Sequence, residues 1–231
     1  MMRKWIEKFL HLKGPLPRFV PTFEIMWFLT QRGGQAYLNG LLKRWQFKNC
    51  GGRLLLGRRS AFYFPRFISL GDHVFIADNC ILNGLSVKGV QIGDRVHIRE
   101  YTLIQATSQL DHPGVGVVIE EDVYIGPHGY LGGGGGIHIG KGSTLGAYVH
   151  LLAENHHFDH LDLPIREQGV LRKGIRIEEN VWVGNSVIIL DGVEIGKGSV
   201  IGAGTVVTKS VPENSIVVGN PGRVVRQRGP Q

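Results

Sequence analysis

From Ile177 to Pro212 an aliphatic side chain recurs at every sixth residue: Ile177, Val183, Ile189, Ile195, Ile201 and Val207. The fifth place of each hexad is small or β-branched, running through Val181, Val187, Val193, Ser199, Thr205 and Val211. A period of six matches neither the turn of an α-helix, about 3.6 residues, nor the plain alternation of a two-sided strand. It predicts a solenoid of short strands joined at tight corners. Each hexad makes one flat face, with its first and fifth residues on the interior side of an extended strand. Gly184, Gly192, Gly196, Gly198, Gly202 and Gly204 fall where the backbone must turn, and glycine takes positive φ without a side-chain clash.

The same pattern begins at Leu70 (LGDHVF, IADNCI) and resumes at Ile92, Ile119 and Ile139 before the run at Ile177. Three hexads close one triangular turn, so the excess residues between these starts must leave the wall as loops. Two are long, at about 106–118 and 152–173. Chemistry belongs on such loops, held by a rigid wall. Residues 1–55 lack the period. Trp5, Ile6, Phe9 and Leu10, then Phe23, Met26 and Trp27, then Leu41, Leu42 and Trp45 fall at helical spacing. The predicted organisation is an N-terminal helical cap region over 1–55, a β-helix over 56–220 carrying the loop 152–173, and a basic tail over 221–231. A stack of parallel strands exposes its edges only at its two ends, which the flanking segments are expected to cover. Trp and Phe beside Arg and Lys also suit peripheral association with a membrane surface.

Composition narrows this picture. Glycine is abundant, 34 of 231 residues, but it is spaced at corners within a chain that is 42% hydrophobic, which excludes a disordered low-complexity chain. A net charge of +7 and a pI near 9.6 call for an anionic partner, and with no DNA- or RNA-binding motif nucleic acid is not expected. Cys50 and Cys80 are the only cysteines, which suits a reducing, cytoplasmic setting, peripheral at the inner membrane face if the N-terminal segment docks there. The apolar residues of the N-terminus are interrupted by Glu7, Lys8 and Lys13, so no cleavable signal is expected. The apolar run near 19–29 contains Pro21 and Glu24 and is too short to span a bilayer.

The loop 152–173 gathers His156, His157 and His160 beside Glu154, Asp159 and Glu167. A neutral imidazole is matched to accepting a proton near neutral pH, which makes one of these histidines a candidate general base. A metal site or a solvated polar loop are the alternatives that the residues alone leave open.

With Asn155-His156 on its extruded loop, Pro164-Ile165, Gln168-Gly169, Val181-Trp182-Val183-Gly184, Gly202-Ala203-Gly204, Val207-Thr208-Lys209 and Gly219-Asn220-Pro221, the chain resembles the hexapeptide-repeat acyltransferases. The likeness is to the branch of galactoside, maltose, xenobiotic and surface-polysaccharide O-acetyltransferases and covers about residues 68–228. It implies an all-β, left-handed parallel β-helix, a homotrimer, acetyl-CoA as donor, no metal, and a saccharide hydroxyl as acceptor in surface polysaccharide or lipopolysaccharide synthesis. It implies that His156, rather than His157, is the base, and that an oxyanion donor lies on a backbone N–H near Gly184-Asn185. Trp182, Gly184, Asn185, Ala203, Thr208 and Lys209 would contact coenzyme A, with Arg223 and Arg226 near its phosphates. Asn155, Asp159 and His128 would face the acceptor. Where the galactoside and maltose members carry an acceptor-binding Asn, this chain has Gly126-Pro127-His128, which implies a different acceptor or pose. Xenobiotic or amino-sugar N-acetyl transfer is the alternative. A gamma-type carbonic anhydrase needs a histidine pair five positions apart, and the chain has none.

Overall fold

The computed structural model describes residues 19–107 and 110–229. Seven coils and part of an eighth stack into a left-handed parallel β-helix with three faces. The first face runs from Asn49–Cys50 to Glu194–Ile195, the second from Leu54–Leu56 to Ser215–Val218, and the third from Ala61–Tyr63 to Val206–Val207. The hexads' aliphatic residues stack directly on one another. Leu70, Ile92, Ile119, Ile139, Ile177 and Ile195 form one continuous register column on the first face, and all of them are buried.

Two readings of the hexad change. The strands are Trp182–Val183, Ile188–Leu190 and Val200–Ile201, so the first and fifth residues of a hexad flank a corner and do not share a strand. The inward pair on one extended stretch is the fifth residue and the next hexad's first, as in Val187 and Ile189. The glycines also divide into two kinds. Gly204 has φ +71°, whereas Gly184 does not lie at positive φ; a Cβ there would sit 2.7 Å from Ala203 N of the next coil. One glycine serves the turn and the other the close stacking of coils. Small hydroxyls at the fifth place stitch the stack: Ser143 Oγ donates to Glu178 O (2.9 Å) and accepts from Val181 N (3.1 Å), and Ser199 does the same toward Pro212 O and Ser215 N.

The coils start at Asn49, earlier than the expected 56. Helices α1 (Thr22–Leu29) and α2 (Gln35–Lys43) precede them, joined by a π-helical turn over Thr30–Gly34; Trp5, Ile6, Phe9 and Leu10 lie outside the described residues. Helix α2 lies on the first strand of the second face. Ala36 and Gly40 are buried there, a Cβ at Gly40 would collide with the Leu54 carbonyl, and Asn39 Nδ2 donates to Leu56 O at 3.1 Å. A strand edge that would otherwise be bare is thus covered. At the other end, Arg223–Gln227 folds back antiparallel on Ser215–Val218, so the tail closes the second face as an edge strand. The insertions 84–89, 106–116 and 153–174 all leave from one corner of the triangle, between the third face and the first.

Candidate active site

The longest insertion is a two-stranded arm. Asn155–His156 pairs antiparallel with Val170–Leu171, and His157 N donates to Gly169 O at 3.1 Å. Its tip is stapled by one side chain, since Gln168 Nε2 donates to His160 O and Leu163 O while Gln168 Oε1 accepts from His160 N. At its base Arg172 Nε donates to Glu154 Oε2 (2.7 Å), and the same guanidinium reaches His112 O and Pro113 O of the neighbouring 106–116 loop. Asn155, His156, His157, Asp159 and His160 are all exposed. His156 ends its strand and His157 follows it in the same hydrogen-bonded arm, so adjacent extended residues direct their side chains to opposite sides and only one of them faces a given groove. The arm's outer part is apolar and uncovered: Phe158, Leu161, Leu163 and Ile165 are each at least half exposed.

The wall residues lie elsewhere. Trp182 projects outward from the second face, and Gly184, Asn185 and Ala203 form the corner between the second face and the third, a different edge of the prism from the one the arm leaves. The backbone N–H groups at this corner point toward the next coil, and the residue one coil later decides whether they are capped. Asp78 Oδ1 accepts from Arg58 N at 2.7 Å, and Asn185 Oδ1 accepts from Ala147 N at 2.9 Å. The Gly184 N–H is used by Ile201 O at 2.8 Å and has no capacity left to hold an oxyanion. The next one is free. Position 203 is alanine and carries no acceptor, so the Asn185 N–H has no partner among the described residues. The equivalent N–H groups of Arg58 and Ala147 are both capped, so the Asn185 N–H stands available at the exposed corner.

His128 stands on this same edge at φ +59°, stacked between Tyr101 and Tyr148 with centroid distances of 4.9 and 4.6 Å and nearly parallel rings. Both ring faces are occupied, which leaves only its edge nitrogens to meet a ligand. Tyr101, His128, Tyr148, Ser186 and Gly204 are the fourth residues of successive second-face hexads, so the column ends one coil below the free N–H, where a small side chain follows. Loops of unequal length separate these residues in the chain, and only aligning the hexads by face brings out the column.

Thr208 and Lys209 lie after the third face, on the edge from which the arm departs two coils earlier. Lys209 and Arg223 line one cleft of about 300 Å³ at the C-terminal end, with Val207, Val211 and Val224. Arg226, on the pairing strand opposite Ile216, does not line it. Cys80 is no nucleophile: burial pushes its thiol up to about 11. Among the described residues no group of three His, Cys, Asp or Glu side chains gathers as for a metal, and no helix is long and apolar enough to cross a membrane.

Two family models match, described as bacterial transferase hexapeptide (six repeats) over residues 174–209 and hexapeptide repeat of succinyl-transferase over 116–153. Galactoside O-acetyltransferase of Lactococcus lactis is 38% identical over 112 residues, 48% of this chain and 46% of its own. Rv3034c of Mycobacterium tuberculosis, named as an acetyltransferase, is 34% identical over 60% of this chain and 44% of its own. Among solved structures, a mutant of AntD, an N-acyltransferase from Bacillus cereus in complex with dTDP and coenzyme A, is 26% identical with TM-score 0.56, over 82% of this chain and 89% of that one. Family models and relatives alike point to the hexapeptide-repeat acyltransferases, which this chain is similar to. It spans less than half the length of these curated relatives. The repeats matched by the family models contain the wall residues Trp182, Gly184, Asn185 and Ala203, whereas the arm lies between the two matched stretches. The likeness captured by these models therefore lies in the scaffold, and the arm with its histidines falls outside it.

Proposed function

We propose that this protein transfers an acetyl group from acetyl-CoA to a hydroxyl of a saccharide, with His156 as general base. The observation that carries the proposal is an exposed imidazole on a braced arm, combined with a wall N–H at Asn185 that Ala203 leaves uncapped. Acyl transfer requires both a base and an oxyanion donor. His156 takes the proton of the acceptor hydroxyl as its oxygen attacks the thioester carbonyl. The Asn185 N–H stabilises the oxyanion, and collapse expels coenzyme A as thiolate, which recovers the proton from the His156 imidazolium. Gly202 and Ala203 let pantetheine approach the backbone, Trp182 and Thr208 flank it, and Lys209, Arg223 and Arg226 supply cations for the phosphates.

The arm and the Asn185 corner occupy different edges of one chain, so the active site forms between subunits. A homotrimer lays the arm of one copy on the Asn185 edge of the next and covers the apolar tip at Phe158, Leu161, Leu163 and Ile165. Asn155, Asp159 and the His128 edge then face the acceptor, with Tyr148 as a ring surface beside it. A role in surface polysaccharide or lipopolysaccharide synthesis is part of the same proposal and is supported by the sequence resemblance to O-acetyltransferases of that kind.

The AntD likeness supports a second reading, transfer to the amine of a nucleotide-linked amino sugar, in which the same His156 deprotonates an ammonium. A thiol-release assay with acetyl-CoA against panels of sugars and amino sugars tests both. Release that depends on an acceptor and disappears in His156→Ala is the expected result, and acceptor-independent or His156-independent release contradicts the proposal.

A further inference from the structure

Charge along the chain is sharply divided. Residues 1–66 carry 13 Lys and Arg against two acids, a net +11, whereas residues 67–231 carry 13 against 17, a net −4. Between Glu24 and Asp72 there is no acidic residue at all. Among the described residues, 19–66 carry eight Lys and Arg against Glu24 alone, and they form the end of the β-helix that α2 covers.

Helix α2 has two opposed faces. Ala36 and Gly40, small enough for close approach, turn toward the first coil and are buried. On the opposite side Leu38, Leu41 and Leu42 continue into Trp45, at spacings of three, four and seven from Leu38. All four are exposed, Leu42 at 72% and Trp45 at 71%. Capping the strand edge requires only the small-residue face. The outward stripe does nothing for the cap and leaves large apolar side chains in water, each surrendering the gain of burial. Lys43, Lys48, Arg53 and Arg59 are exposed on the same end of the molecule.

We propose that this end docks on an anionic lipid bilayer, with the Leu38–Trp45 stripe entering the interfacial region and the surrounding Lys and Arg meeting acidic headgroups. Charge decides among the possible occupants. A second copy would bring one basic end against another. The chain's own residues 1–18, with Arg3, Lys4, Lys8, Lys13 and Arg18 against Glu7 alone, are basic as well. A nucleic acid would match the charge but leave the leucines and tryptophan without a partner. An anionic membrane surface satisfies both terms, and each cation near it adds attraction that falls away within a Debye length.

The test is co-sedimentation of the full chain with vesicles of phosphatidylcholine alone or of phosphatidylcholine mixed with phosphatidylglycerol, at low and high salt. Binding to the anionic vesicles only, weakened by salt, is expected, together with a loss of roughly tenfold or more in bound fraction for a Leu38→Ser/Leu42→Ser double variant. The variant should keep the wild-type melting temperature and particle mass, since neither leucine is packed in the cap. Equal binding to neutral vesicles, or none to either, overturns the proposal. So does a double variant that binds like wild type, which would place the membrane contact in residues 1–18. A double variant of smaller particle mass would make the stripe an interface between copies instead.

Discussion

At the residue scale, the proposed chemistry falls to the atoms left over once the wall has satisfied itself. The Asn185 N–H is free because position 203 is alanine. Ala203→Asn places at the seventh coil the same cap that Asn185 supplies to Ala147, and withdraws the donor without disturbing the core. Turnover at saturating acetyl-CoA should fall about a hundredfold or more with unchanged melting, while the larger side chain beside pantetheine also raises the KM for acetyl-CoA; unchanged turnover would remove Asn185 from the mechanism. His156→Ala is expected to lose activity by about a hundred- to ten-thousandfold and His157→Ala to keep it, because the two rings point to opposite sides of the arm. The reverse order would show that the arm presents its other face to the donor. Cys80 is buried and its thiol is held protonated to about pH 11, so a thiol reagent at mildly alkaline pH should not label it in the native state and should label it rapidly on unfolding. Fast native labelling, located by mass spectrometry, would mean that the coil around it opens.

At the element scale, the hexad rule made the wall legible before any coordinates: the aliphatic first residues are the interior columns, and the long excesses are the insertions. Corners were harder to read. The rule marks where side chains point inward but not where the strand bends, so the turn lies inside the hexad and not at its ends. Handedness came from family likeness, because spacing alone does not encode it. The cap was legible only as helical spacing. Its logic is steric, a glycine facing a carbonyl and an asparagine serving a bare strand edge. Gly40→Leu should lift α2 from the first coil at a cost of roughly 1–3 kcal/mol and expose that edge, measured as a lower melting temperature and concentration-dependent association. Wild-type melting would show that α2 is not needed to close the stack. The Gln168 staple and the Arg172 brace join residues that no local period relates, and the stack of His128 between two tyrosines spans three coils separated by unequal loops.

At the scale of the whole molecule, the proposed base His156 and the proposed oxyanion donor Asn185 N–H stand on separate edges of one β-helix, and the apolar arm tip is exposed among the described residues. Both facts lead to a site shared between copies. Co-expressing the two inactive variants His156→Ala and Ala203→Asn tests this most directly. In mixed trimers an interface works when its arm comes from an Ala203→Asn chain and its wall from a His156→Ala chain. Random assembly therefore restores roughly a quarter of the wild-type sites. Activity recovering to about that level in purified trimers, while each variant alone stays inactive, is the predicted result. Mixed trimers as inactive as their parents would contradict the account and place base and donor within a single chain.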